Sequence, residues 1–346
     1  MSIERPDLSS VDPEIVAYIE ALEASLAEKH HISSRPKSEP ASLEPSEPPT
    51  TLNVITITAD GYAKRTPRHL YFRQRRGGMG VFDIDSAEND PPALLTVADE
   101  NESLILITDQ GRAFRQAVNA IPETQVRGRG AALNDDLALL VDERIVAALP
   151  ESGGTYVLLI SQRGWVRRVQ RAYLGSGMLQ GQRFHKISEG GYLTGAAWSD
   201  GQADVFICTR KGLGIRFSER QIVGRGCLGI RVSPDDEAIA VASVTSESGV
   251  FLLSADGKGT IRLMSGLRQN KAPGAGGKIA IKSDECVGAV RVDSADDVFV
   301  ISQLSKIIRF SAEEIPAKTG VVQGVNCMTL RADVAAAIVA TPIAST

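Results

Sequence analysis

One pattern governs what this chain can fold into: from residue 52 onward it repeats itself six times. In each repeat a run of apolar, often β-branched residues ends in Thr or Ser, and a tight turn and a basic residue follow. The runs are VITITADGYAKR from Val54, LILITDQGRAFR from Leu104, VLLISQRGWVRR from Val157, VFICTRKGLGIR from Val205, VFLLSADGKGTIR from Val250 and VFVISQLSKIIR from Val298. Successive starts lie 50, 53, 48, 45 and 48 residues apart, the length of a four-stranded propeller blade.

A continuous apolar run of this length suits a strand buried on both faces. Gly61, Gly111, Gly164, Gly212 and Gly257, with Ser305 in the sixth place, sit where a tight hairpin needs positive φ. Thr58, Thr108, Ser161, Thr209, Ser254 and Ser302 lie three residues earlier and can hydrogen-bond locally at the strand end. Four residues past the turn stand Arg65, Arg115, Arg168, Arg216 and Arg309; an extra residue in the fifth repeat puts Arg262 at five. A glycine cluster follows each hairpin (77–80, 128–130, 181–183, 224–229, 274–277, 320–324), then an apolar strand such as 93–97 or 238–242. Each blade therefore reads as strand, turn, strand, Gly-rich connection and outer strands. A single blade cannot bury both faces, so the ring forms as a unit.

The segment before the repeats is different. Residues 1–32 hold one amphipathic helix over 12–31, with Asp12 as N-cap, Pro13 as first helical residue and Ile15, Ile19, Leu22 and Leu26 as one stripe. Two heptads are short for an autonomous coiled coil, so the stripe docks on this protein's own surface or on a partner. Residues 33–51 are rich in Pro, Ser and Glu and read as a disordered or extended linker. The first 50 residues carry 4 Lys+Arg against 10 Asp+Glu, and the rest 34 against 32, so an acidic arm precedes a weakly basic body. Cys208, Cys227, Cys286 and Cys327 form no C-x-x-C pair and read as buried thiols of a reducing cytosol. No apolar run reaches membrane-spanning length, and the first residues are no signal peptide. A soluble cytoplasmic protein follows.

No catalytic constellation is present. His30, His31, His69 and His185 have no metal-ligand spacing with Cys, Asp or Glu. No metal or cofactor is expected. Gly224-Arg225-Gly226-Cys227-Leu228-Gly229 fits G-x-G-x-x-G but opens no evident helix and occupies the slot where every repeat keeps glycines. The recurring arginine has two readings. It is a structural part of each blade, or it contributes to a basic belt that binds bent duplex through its phosphates. Periodicity does not choose between them.

The segment TADGYAKRTPRHLYFRQRRGGMG, from Thr58 to Gly80, does. It resembles the start of the C-terminal domain of bacterial DNA gyrase A and its topoisomerase IV counterpart. There G-Y-x-K-R-T-P precedes the box Q-R-R-G-G-K-G, here matched by Gln74, Arg75, Arg76, Gly77, Gly78 and Gly80, with Met79 in the lysine's place. The second repeat, with IPETQVRGRG, is similar to that family too, and the resemblance covers 52–341.

The resemblance implies an all-β, six-bladed β-pinwheel whose blades exchange strands, wrapping double-stranded DNA around a basic rim in the bacterial nucleoid. The DNA contacts it implies are Lys64, Arg65, Gln74, Arg75, Arg76, Gly77, Gly78, Gly80, Arg115, Arg127, Arg129, Arg168, Arg216 and Arg309. The box glycines would let backbone approach phosphates, and the arginines would neutralise them. Met79 removes one charge. No segment matches the family's breakage–reunion region with its catalytic tyrosine, so no DNA cutting is expected. Two functions are expected: sequence-nonspecific DNA wrapping, or a gyrase-derived propeller that binds protein, its N-terminal helix contacting a gyrase or topoisomerase partner.

Overall fold

The computed structural model describes residues 13, 15–20, 47–87, 89–133 and 137–342. The chain divides into Met1–Glu44 and Pro45–Thr346. In the first unit residues 13 and 15–20 are helical; the rest of the helix expected over 12–31, and residues 33–46 of the linker, lie outside the described residues.

The second unit is a ring of six blades. Each is built on a hairpin: Leu52–Thr58 with Tyr62–Pro67, Ser103–Thr108 with Arg112–Ala117, Tyr156–Ser161 with Trp165–Gln170, Asp204–Thr209 with Leu213–Ser218, Gly249–Ser254 with Lys258–Leu263, and Asp296–Ser302 with Lys306–Ser311. The first strand of each hairpin is buried almost throughout, as the unbroken apolar runs require. The turn residues all take positive φ, Ser305 included (φ 61°). Thr58, Thr108, Ser161, Thr209 and Ser302 accept from the backbone N–H four residues on, at 3.0–3.2 Å. In the fifth blade Asp256 does this instead, and Ser254 bonds Ser283.

The apolar strand after each connection lies innermost, not outermost. Pro92–Asp99, Ile145–Pro150, Leu193–Ser199, Ala238–Val244, Cys286–Val292 and Ala335–Pro342 pack side by side around a central channel, the last beside the first. Each pairs with the first strand of its own hairpin. The outermost strand is only two residues long and comes from the next repeat. Ala131–Ala132 joins the first blade, Gln182–Arg183 the second, Cys227–Leu228 the third, Lys278–Ile279 the fourth and Val325–Asn326 the fifth. Val81–Phe82, from the first connection, joins the sixth and closes the ring.

The core lies between blades. Ile55 and Ile57 of the first blade pack with Leu104, Leu106 and Phe114 of the second. Phe251 and Leu253 of the fifth meet Val300 and Phe310 of the sixth. Val54 meets Phe299 and Ile301 at the closing seam. A blade removed from the ring would expose both faces, losing about 1.5–3 kcal/mol for each large side chain returned to water. Short outer strands also suit an exposed edge, because two residues offer little ladder for another chain.

Two further details differ from the sequence reading. The fifth hairpin has no extra residue: Ile261 opposes Phe251 as Arg216 opposes Phe206, so Arg262 belongs to the next register position. Residues 47–51, read as linker, belong to the ring, where Glu47 is buried.

Candidate nucleic-acid interface

The recurring strand arginines face into the blades. Arg309, 1% exposed, donates to Asp297 and Glu47 and to the carbonyls of Arg68 and Tyr71. Arg216, 8% exposed, donates to the Met264 carbonyl, 2.7 Å away, and lies 3.5 Å from Asp204. Arg65 pairs with Glu123 and donates to the Ile121 carbonyl. Arg115 is held by Glu151, and Arg168 lies over the Tyr156 ring, 5.0 Å from its centre. Arg65, Arg216 and Arg309 thus tie a blade to the carbonyls of the following repeat's 3-10 turn. Arg216 and Arg309 are too buried to reach a phosphate, which corrects the expected belt.

Lys64 is corrected in the same way. It is fully buried and pairs with the equally buried Asp83 at 2.8 Å. Asp83 also accepts from Thr56 Oγ1 (2.6 Å) and from the Tyr71 hydroxyl. Burial lowers the Lys64 pKa below that of an ordinary lysine despite Asp83, and burial, with the Asp83 charge, pushes the Tyr71 phenol well up. This cluster fastens the box connection to the first blade.

Most of the box seals the ring. The Gln74 N–H donates to the Arg309 carbonyl and the Gly77 N–H to the Cys327 carbonyl, both at 2.7 Å. Thr329 bonds the carbonyls of both Gly77 and Gly78. The Arg76 backbone N–H donates to the Glu314 carboxylate, and its guanidinium donates to the carbonyls of Glu314 and Asn326. At Gly80 (φ +69°) a Cβ would lie 2.5 Å from the Ile307 carbonyl oxygen; the equivalent Gly324 (φ +93°) would meet Gly259 O at 2.5 Å. The last glycine of these connections is thus required by close approach to the preceding blade. Met79 is half exposed, beside the exposed Val81 and Phe82.

The free cations stand on the connections. Arg75, Arg127 and Arg129 are exposed, and among the described residues no acid pairs with them. The sequence reading missed Arg183, Lys186, Arg225, Arg231, Arg268, Lys271, Lys278 and Lys318, all exposed and likewise unpaired among the described residues. They follow no fixed spacing from the hairpin, so periodicity does not reveal them; their signal is a basic residue within three positions of a rim glycine or rim strand. Arg183 and Lys278 lie in outermost strands themselves. Every connection carries at least one such cation, so the rim can neutralise anionic charge around its whole circumference.

Comparison with known proteins agrees with this architecture. The family model described as the DNA gyrase C-terminal domain, beta-propeller, matches residues 52–90, 102–150, 203–245 and 296–340, about half of the chain. This chain belongs to the DNA gyrase C-terminal propeller family. It is 28% identical to the DNA gyrase A protein of Mycolicibacterium smegmatis over an alignment of 324 residues that covers 88% of this chain and 38% of that protein. With the Escherichia coli gyrase A protein the figures are 28% over 284 residues, 79% and 32%. The chain thus spans about a third of the length of these relatives. Among solved structures, a DNA gyrase A C-terminal domain superposes with TM-score 0.73 at 20% identity, covering 83% of this chain and 98% of that one. A topoisomerase IV C-terminal domain gives 0.60 at 16% identity, covering 84% and 93%. In this gyrase-type propeller the G-x-G-x-x-G match forms two-residue strands, Cys227–Leu228 and Ile230–Arg231, rather than a helix start. No group of three His, Cys, Asp or Glu that could hold a metal exists among the described residues. No described helix is long and apolar enough to cross a membrane.

Proposed function

We propose that this chain binds duplex DNA along the propeller rim without reading its sequence, and wraps it, contributing to DNA topology as a gyrase A C-terminal-like protein of the bacterial nucleoid. The observation that carries this reading is the set of exposed Arg and Lys side chains on all six connections that have no ion-pair partner among the described residues, against strand arginines such as Arg216 and Arg309 that are spent inside the blades. Rim cations can displace condensed counterions from phosphates, while two-residue strands and loops offer no element to enter a groove. The chain binds without cutting DNA and needs no cofactor.

The test is a plot of log affinity against log salt on two unrelated duplexes, with ligation of relaxed plasmid beside it. With about six to ten phosphate contacts, affinity falls roughly a thousandfold or more between 50 and 200 mM salt. The two duplexes differ little, and ligated plasmid retains constrained supercoils. A flat salt plot, or strong preference for one duplex, rejects the reading.

A second reading is favoured by the exposed Met79, Val81 and Phe82 and by the exposed helical residues Ile15 and Tyr18: a propeller that binds a topoisomerase or another nucleoid protein. It is distinguished by weak, salt-insensitive DNA binding.

Met79 provides a sharper check. Because its side chain is half in water, Met79→Lys adds a charge without burying one. The expected result is a salt slope steeper by roughly one unit, with an unchanged melting temperature. An unchanged slope would remove position 79 from the DNA path.

A further inference from the structure

The rim cations are unevenly distributed. Residues 264–283, the fifth connection, contain Arg268, Lys271, Lys278 and Lys282 and not one Asp or Glu. Residues 222–234 of the fourth contain Arg225 and Arg231, again without an acid; of the acids that end these two connections, Asp235, Glu237 and Glu285 pair with Lys211 or Arg210 and Asp236 is buried, with Asp284 beside them. All six cationic side chains are exposed, and none has an ion-pair partner among the described residues. The fold joins the two connections directly. Ile230–Arg231 pairs in parallel with Ala275–Gly276, and the Gly274 N–H donates to the Gly229 carbonyl at 2.9 Å.

The box connection contrasts with this surface. Residues 73–90 hold Arg73, Arg75 and Arg76 against Asp83, Asp85, Glu88 and Asp90. Arg73 is paired with Asp297, and the Arg76 guanidinium is turned onto the Glu314 and Asn326 carbonyls, which leaves Arg75 as the box arginine with neither kind of partner among the described residues. The two basic connections also hold glycines that packing does not require, as do the third and sixth: a Cβ at Gly224 or Gly276, or at Gly175, Gly177 or Gly320, would meet nothing within 4 Å, and none of these residues has positive φ. Glycine without a packing or backbone reason fits a place where another backbone comes close.

We propose that the fourth and fifth connections form the primary anchoring site for duplex phosphate, away from the box. Their outermost strands lie on the third and fourth blades, whereas the box closes the sixth. Six cations without an ion-pair partner among the described residues lie on one hydrogen-bonded surface and concentrate free positive charge in this arc, and duplex engages it first. The box arc is reached by bending, which costs elastic energy and follows anchoring. This inference rests on the reading of the rim as a DNA-binding surface.

The experiment compares two fourfold variants of the full chain on a short duplex that cannot encircle the ring. One carries Arg268→Gln, Lys271→Gln, Lys278→Gln and Lys282→Gln. The other carries Arg127→Gln, Arg129→Gln, Arg183→Gln and Lys186→Gln. The expected result is a salt slope reduced by roughly three to four units in the first variant, with an affinity loss at least about tenfold greater than in the second. Equal losses, or a greater loss in the second, overturn the anchoring site while leaving DNA binding intact. A wild-type chain that binds neither duplex nor plasmid at low salt rejects the underlying reading instead. Exposed Lys and Arg changed to Gln leave the core untouched, and circular dichroism of both variants confirms the folded ring.

Discussion

Replacing Asp83 by alanine is expected to destabilise the ring by about 3–5 kcal/mol, the usual cost of stranding a buried charge by removing its partner. Asp83 answers three donors that have no access to water: the Lys64 ammonium at 2.8 Å, Thr56 Oγ1 at 2.6 Å and the Tyr71 hydroxyl. Without it, Lys64 keeps only the carbonyl oxygens of residue 83 and Gln125. Urea unfolding measures the loss. The double variant Lys64→Met with Asp83→Asn separates charge from packing, because the amide oxygen still accepts from one of the two hydroxyls, its NH2 donates to the other, and no ammonium remains. It should recover most of the stability. A single variant within about 1 kcal/mol of wild type, or a double variant no better than the single, would show that the ion pair does not hold the box connection in place.

The same cluster shows how far sequence reasoning reached. The six hairpins were legible because burial on both faces demands an unbroken apolar run, and the turn demands glycine. Five of the six Thr or Ser caps were legible because a short hydroxyl has few other partners at that point. The resemblance implied that blades exchange strands, but which segments do so was not legible: two residues carry no period, and nothing in Val81–Phe82 announces that it pairs with Lys306–Ile307, more than two hundred residues away. Arg216 and Arg309 were read as DNA contacts because they stand in a recurrent basic position, and Lys64 because it falls in the G-Y-x-K-R-T-P motif. A repeat, however, preserves whatever each blade needs. In three blades Arg65, Arg216 and Arg309 satisfy carbonyls at the seam with the neighbour, so there the recurrence marked structure. The free cations vary in position from one connection to the next, as they can when the requirement is only charge at the rim. Arg75, Arg127 and Arg129 were found because the family motif singled out their connections, and the fifth connection was missed because it lacks that motif.

The closing seam has a lock at its entrance. Glu47, just before the first strand, accepts from Arg68 Nε at 3.0 Å and from the second Arg68 nitrogen and an Arg309 nitrogen at 2.9 Å each. Arg68 in turn donates to Thr341 and to the Pro342 carbonyl in the innermost strand of the sixth blade. One carboxylate therefore links the first and sixth blades through two buried guanidiniums. Glu47→Ala leaves both with Asp297 as the nearest remaining acid, on the Arg309 side. The expected cost is again about 3–5 kcal/mol, but its signature is local. Amide exchange should accelerate in Val81–Phe82 and Lys306–Ser311, where the ring closes, before it changes in the third and fourth blades, as opening begins at the weakest seam. The lock is also acid-sensitive. Burial pushes the Glu47 carboxyl up, yet the hydrogen bonds and charges of Arg68 and Arg309 outweigh this and hold its pKa below the ordinary carboxylate value. A carboxyl depressed in the folded state stabilises above its unfolded pKa and loses that contribution as pH falls through the folded one. Wild-type ring should therefore lose seam protection on acidification below the ordinary glutamate range, and Glu47→Gln should lack this part of the pH dependence. Uniform exchange around the ring in Glu47→Ala, or the same acid profile in Glu47→Gln as in wild type, would mean that the seam is held by its apolar contacts alone.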